Sequence, residues 1–157
     1  MRYYIKPKRI IWKTTSPHSL VDNSDALLLD RPKQISLSKD DLCTFKNQGG
    51  NAAILLDFGQ ELHGGLELVI RQITGAQSVD LRIRFGESVT EAMSELGDDT
   101  NSTNDHAMRD LTVTVQKLSM NPVGETGFRF VRIDLLTPGV SVAIRSVKAV
   151  VIMRDIP

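Results

Sequence analysis

From about residue 52 onward apolar residues recur at every second position, a spacing that extended strands with one dry and one wet face satisfy and helices do not. Leu66, Leu68 and Ile70 alternate with Glu67 and Arg71 after a Gly64-Gly65 pair that reads as a turn. Val79, Leu81, Ile83 and Phe85 alternate with Asp80, Arg82 and Arg84, and Leu111, Val113 and Val115 with Thr112, Thr114 and Gln116. The closing stretch offers Val140, Val142 and Ile144, then Val147, Ala149, Val151 and Met153. The step from Ile144 to Val147 breaks phase, so a β-bulge or a strand changing sheets is expected near Arg145-Ser146.

Ala52 to Phe58 and Phe128 to Leu136 are denser in apolar residues, as expected of central strands covered on both faces. Between the runs stand Gly49-Gly50-Asn51, Thr74-Gly75, Asn121-Pro122 and Pro138-Gly139, all read as turns. Many strands, short turns and almost no helical periodicity imply an all-β fold, a jelly-roll-like sandwich of two antiparallel sheets. At 157 residues the chain has the size of one domain. Two segments break the rhythm. Residues 13–33 carry Pro17, Asp22, Asn23, Ser24, Asp25 and Pro32, and residues 91–110 form a long polar loop, EAMSELGDDTNSTNDHAMRD. Loops of that length in a compact domain are usually functional or partly disordered.

Nineteen basic and nineteen acidic residues leave a formal net charge of zero, which argues against nucleic acid or an anionic membrane as partner. No stretch approaches a membrane span or a signal peptide. A leader upstream of this sequence would leave the compartment open, with a periplasmic or secreted parent protein the expectation. The single cysteine, Cys43, has no internal disulfide partner and no ligand-spaced neighbour, and reads as a small buried side chain.

The polar loop is where a metal is to be sought. Asp98, Asp99, Asn101 and Asp105, with Asn104 and Asp110, supply the hard oxygen ligands calcium prefers. DDTNSTND nevertheless lacks the glycine and the bidentate glutamate of an EF-hand loop, so a solvated loop built from turn-forming residues is the favoured reading and a structural calcium the alternative. Glu87, Glu91 and Glu95 recur every four residues and read as surface carboxylates on a wet turn or short helix. A glycosidase needs two carboxyl groups across a scissile bond, and no such pair is legible. His18, His63 and His106 sit at neither metal nor triad spacing, and no GxSxG, HExxH or P-loop occurs. Trp12 with Tyr3 and Tyr4 makes an aromatic amino-terminal stretch, read as packing onto the sheet or a neighbouring domain, with a sugar-stacking platform the alternative.

Specific strings then point further. Leu56-Asp57-Phe58-Gly59-Gln60 followed by Gly64-Gly65, then Arg84-Phe85-Gly86-Glu87-Ser88, then Thr126-Gly127-Phe128-Arg129-Phe130-Val131 together resemble the β-sandwich module of bacterial α-L-rhamnosidases. The resemblance runs from about Ala53 to Asp155, with residues 1–50 a loosely matched extension. Gly59 is expected to permit a sharp turn or a positive φ. Arg129 and Arg132, beside Phe128 and Phe130, are expected to stack on a ring or pair with a carboxylate such as Asp57 or Glu87, fixing strand register. The resemblance implies a non-catalytic domain of a glycoside hydrolase whose acidic catalytic residues lie in a following α/α-toroid domain, so none is assigned here. Trp12, Glu87, Asp105, His106 and Arg109 are the candidate sugar-binding or interdomain contacts. The implied partners are that catalytic domain and rhamnose-containing glycans; no cofactor is expected beyond the possible calcium. A carbohydrate-binding module with its own sugar site is the rival reading.

Overall fold

A computed structural model describes residues 2–29, 42–93 and 109–152. Ten strands account for most of them: β1 Arg2–Ile5, β2 Arg9–Lys13, β3 Thr15–Ser16, β4 Ser19–Asp22, β5 Cys43–Asn47, β6 Ala52–Thr74, β7 Ser78–Gly86, β8 Asp110–Gln116, β9 Ser119–Leu135 and β10 Val140–Ile152. A 3-10 turn, Ser24–Leu28, follows β4, and one short helix, α1 (Val89–Met93), follows β7. Every pairing is antiparallel.

The two longest strands organise the fold. β6 and β9 lie side by side, and their pairing shifts register between Asp57 and Leu62. On one side of that break Ala52–Asp57 pairs with β9 and β2, and β9 continues to β7 and β8. On the other side Gly64–Thr74 pairs with β10, whose far edge takes β5 at one end and β1 at the other. β4 and β3 complete that layer. The bonded path is therefore unbroken, yet it folds over as the two layers of a β-sandwich, as the alternation requires.

The apolar parities meet between the layers. Ile54, Leu56, Leu81, Ile83, Val131, Ile133 and Leu135 of the first layer join Phe45, Leu66, Leu68, Ile70, Val142, Ile144 and Val147 of the second in one buried cluster. Phe128 sits at the fold-over and meets Phe58 and Phe85 edge to face, at centroid separations of 5.7 and 5.0 Å. Such contacts add about 0.5–1.5 kcal/mol beyond area burial. Cys43 is part of this core, and burial pushes its thiol up to about 12, so it stays protonated and inert.

The expected break of phase is present: pairing of β10 with β6 shifts between Ala143 and Ile144 and again between Ile144 and Ser146. It is a bulge within one strand, which lets both halves of β10 keep their apolar residues inward. The denser run at Ala52 to Phe58 is covered on its second face, where Leu55 packs with Phe130 and with Ala92 of α1.

Two turn assignments are corrected. Gly64-Gly65 is strand interior, and His63 with it. A Cβ on Gly64 would run into the Val150 carbonyl and one on Gly65 into the Gly124 carbonyl, so these glycines answer close backbone approach from both neighbouring strands. Asn121-Pro122 also lies within β9; the chain reverses earlier, where Leu118 takes a positive φ of 54°. Pro122 pairs with Glu67 of β6, and pairing of β9 with β7 begins only at Phe130. The missing N–H is tolerated on that open edge.

Candidate functional site

The outer face of the first layer holds most of the polar chemistry. Its rows are set by register: Arg9, Asp57 and Phe130 in one, Trp12, Leu55, Arg132 and Arg84 in the next, then Ala53, Asp134 and Arg82. Strand parity thus brings arginines and aspartates that are distant in sequence onto one surface.

Asp57 is fully buried and accepts from three strands' worth of donors. Arg129 Nε and Nη2 donate to its two oxygens at 3.0 and 3.2 Å, Arg9 Nε donates to Oδ2 at 2.6 Å, and the Gly59 N–H donates to Oδ1 at 2.7 Å. Burial alone raises its pKa; the hydrogen bonds from Arg129, Gly59 and Arg9 outweigh that and hold the carboxyl at about 2. The hydrogen bond to Asp57 in turn raises the Arg129 pKa. Gly59 reaches its bond with φ at 83°, the left-handed conformation that its lack of a Cβ permits. Arg129 also lies 5.0 Å from the Phe130 ring centroid, so both contacts expected of it are made.

Arg132 holds Asp134 with Nε and Nη2 at 2.8 and 2.9 Å, and Arg84, itself buried, donates to the same Asp134 at 3.1 Å. The Arg132 guanidinium lies 5.2 Å over the Trp12 ring and its Nη1 is 3.3 Å from Met93 Sδ of α1. Trp12 keeps 38% of its surface exposed. It therefore anchors β2 on the sheet while leaving part of the indole accessible. Tyr3 and Tyr4 sit on β1, which pairs with β10, so no shared platform with Trp12 forms.

Glu87 and Arg109 do come together. Arg109 Nη2 is 3.7 Å from Glu87 Oε1, and its Nη1 bonds Glu91 of α1. Gly127 lies beneath: a Cβ there would be 3.3 Å from Glu87 Oε1 and 3.9 Å from His63 Nδ1. Asp98, Asp99, Asn101, Asp105 and His106 lie outside the described residues. Among the described residues no group of three His, Cys, Asp or Glu is placed to hold a metal.

Sequence reasoning missed Asp134, Arg84, and the Arg82–Asp110 pair, with bonds at 2.9 and 2.6 Å. The available signal was charge of opposite sign recurring at even spacing on strands that are otherwise apolar, as in Arg132 and Asp134. Chemically, these carboxylates are neutralised by guanidinium groups. Glu87 and Glu91 share one arginine on the same side of the molecule, and a general acid needs a carboxyl kept protonated, the opposite of what Asp57 shows.

No protein-family model and no curated protein matches the sequence. Solved structures do match in fold. A rhamnosidase from Klebsiella oxytoca with rhamnose bound superposes with a TM-score of 0.63 at 13% identity, over 96% of this chain and 29% of that one. The GH78 family rhamnosidase of Bacillus sp. GL1 gives 0.57 at 11% identity, over 82% of this chain and 12% of that one. The CBM32 of AlyQ, in complex with 4,5-unsaturated mannuronic acid, gives 0.51 at 15% identity and covers 95% of this chain and 97% of its own. This chain thus spans less than a third of either rhamnosidase and nearly the full length of the CBM32 domain. At these identities the likeness is one of fold, a β-sandwich that occurs both as part of rhamnosidase chains and as a sugar-binding domain.

Proposed function

We propose that this chain is a non-catalytic β-sandwich domain of an α-L-rhamnosidase-like glycoside hydrolase, serving to pack against and orient the catalytic domain. The observation that carries this reading is the state of the acidic residues. Asp57, Asp110, Asp134, Glu87 and Glu91 are each engaged by at least one arginine, and Asp57 is held ionised by three donors. Arg129 and Arg9 clamp Asp57 across β9, β6 and β2, and Arg84 ties Asp134 of β9 to β7, so these buried carboxylates serve strand pairing. The rhamnosidase likeness, over 96% of this chain but 29% of the other, supports the same reading. The reading frame beyond Pro157 tests it: continuation into a helical catalytic domain is the expected result, and a stop codon there contradicts it.

A second reading, a carbohydrate-binding module in its own right, is favoured by the near end-to-end match with the CBM32 domain. It places calcium among Asp98, Asp99, Asn101 and Asp105. It requires that rhamnose raise the melting temperature and that a chelator reduce the rise; unchanged melting at high sugar concentration removes it.

A further inference from the structure

The outer face of the second layer carries a trough of two adjoining grooves that share Glu67. Register sets its rows: Met120, Val69 and Ser146, then Pro122, Glu67 and Lys148, then Gly65, Val150 and Tyr4. A groove of about 400 Å³ lies at the Met120 end, walled by Leu29 and the 3-10 turn. A shallower one of about 210 Å³ lies at the Tyr4 end, and Glu67 lines both. The larger alone has the volume of a small-molecule site. Gly64, Gly65 and Gly124 leave the Tyr4 end floored by bare backbone.

We propose that this trough binds a short neutral oligosaccharide. Its walls are apolar and exposed, with Tyr4 at 52%, Leu29 at 56% and Met120 at 65%. Its centre is charged: Glu67 and Lys148 are half-buried cross-strand neighbours of opposite sign. A protein interface has the reverse layout, an apolar centre depleted of charge within a polar rim. A sugar needs what is present here, an aromatic face for its C–H surface and central donors and acceptors for its hydroxyls. Arg2 and Glu125 at the Tyr4 end and Arg145 at the other keep both signs of charge along the trough. This favours an uncharged polyhydroxyl chain over a polyanion. The inference does not need the accessory-domain reading; it rests on the carbohydrate-binding one and gives it a site on a described face, so that sugar shifts elsewhere on the molecule would spare that reading and remove this site.

The test is amide-resolved NMR of the labelled 157-residue protein titrated separately with rutinose, cellotetraose and xylotetraose to about 10 mM, a range that detects weak binding. The expected result is saturable shifts at Val69, Met120, Lys148 and Val150 with at least one of them. Tyr4→Ala and Lys148→Met should each weaken that binding about tenfold, with Thr112→Ala, exposed on β8 of the other layer, leaving it unchanged. Three results overturn the proposal: no shifts with any of the three sugars, shifts centred on Trp12 and Glu87, or sugar-independent shifts of the trough residues that grow with protein concentration. The last would assign the face to a second copy of the chain.

Discussion

Arg129 grips Asp57 through two parallel bonds, Nε to Oδ1 at 3.0 Å and Nη2 to Oδ2 at 3.2 Å, and so ties β9 to β6 just where their register shifts. Arg9 adds β2 to the same carboxylate. Removal of one partner from a buried pair leaves the other desolvated. Asp57→Ala is expected to cost about 3 kcal/mol in urea unfolding, at the low end for such pairs because both arginines reach water. Arg9→Ala, whose side chain is 58% exposed, is expected to cost under about 1 kcal/mol. Equal losses from the two variants would refute the assigned order.

The same carboxylate gives the stability a pH dependence. Its folded pKa lies at about 2, below the ordinary 3.8, so the folded state favours the ionised form. The contribution is fully present above pH 3.8 and is lost as pH falls toward 2. Its size is on the order of 2 kcal/mol. Unfolding midpoints measured between pH 5 and 2 should fall for the natural sequence and fall less for Asp57→Asn. Parallel curves would show that Asp57 is not the titrating group.

Much of the fold was legible because strand parity is a local property. The alternating sets at Val79 to Phe85 and Val140 to Val151 point inward as read, and the slipped phase at Arg145-Ser146 is a bulge. Gly64-Gly65 was misread because turn chemistry and close strand approach select the same residue, and only the neighbouring carbonyls of Val150 and Gly124 distinguish them. The clamps were partly legible. Asp57 was one of two partners open to Arg129, and Glu87 instead meets Arg109, which precedes β8. Arg132 takes Asp134, two residues away on the same face, a pairing that depends on which face is wet and so on the sheet order.

Gly64→Ala is accordingly expected to prevent folding or to cost more than about 3 kcal/mol, since the added methyl meets backbone that cannot retreat. Gly139→Ala, with φ at 73° and nothing within 4 Å of the added carbon, should cost only about 1 kcal/mol. Soluble expression and thermal melting compare the two. A well-folded Gly64→Ala protein would mean that β6 and β10 do not approach as described.

Trp12 is the sole tryptophan, so its emission reports directly on the Arg132 contact. Arg132→Met should increase acrylamide quenching of that emission. It should also destabilise the fold by roughly 2 kcal/mol, because the buried Asp134 loses the two-pronged bond from Arg132. Quenching unchanged from the natural sequence would place Arg132 away from the indole.

The central claim, that the arginine-held carboxylates of this sandwich support its frame and do not cleave glycosides, is tested most directly by incubating the purified 157-residue protein with p-nitrophenyl α-L-rhamnopyranoside and following nitrophenol release. Release at the rate of buffer alone is expected, unchanged in Glu87→Gln and Glu91→Gln. Release above that rate in the natural sequence, lost in either variant, would contradict the account.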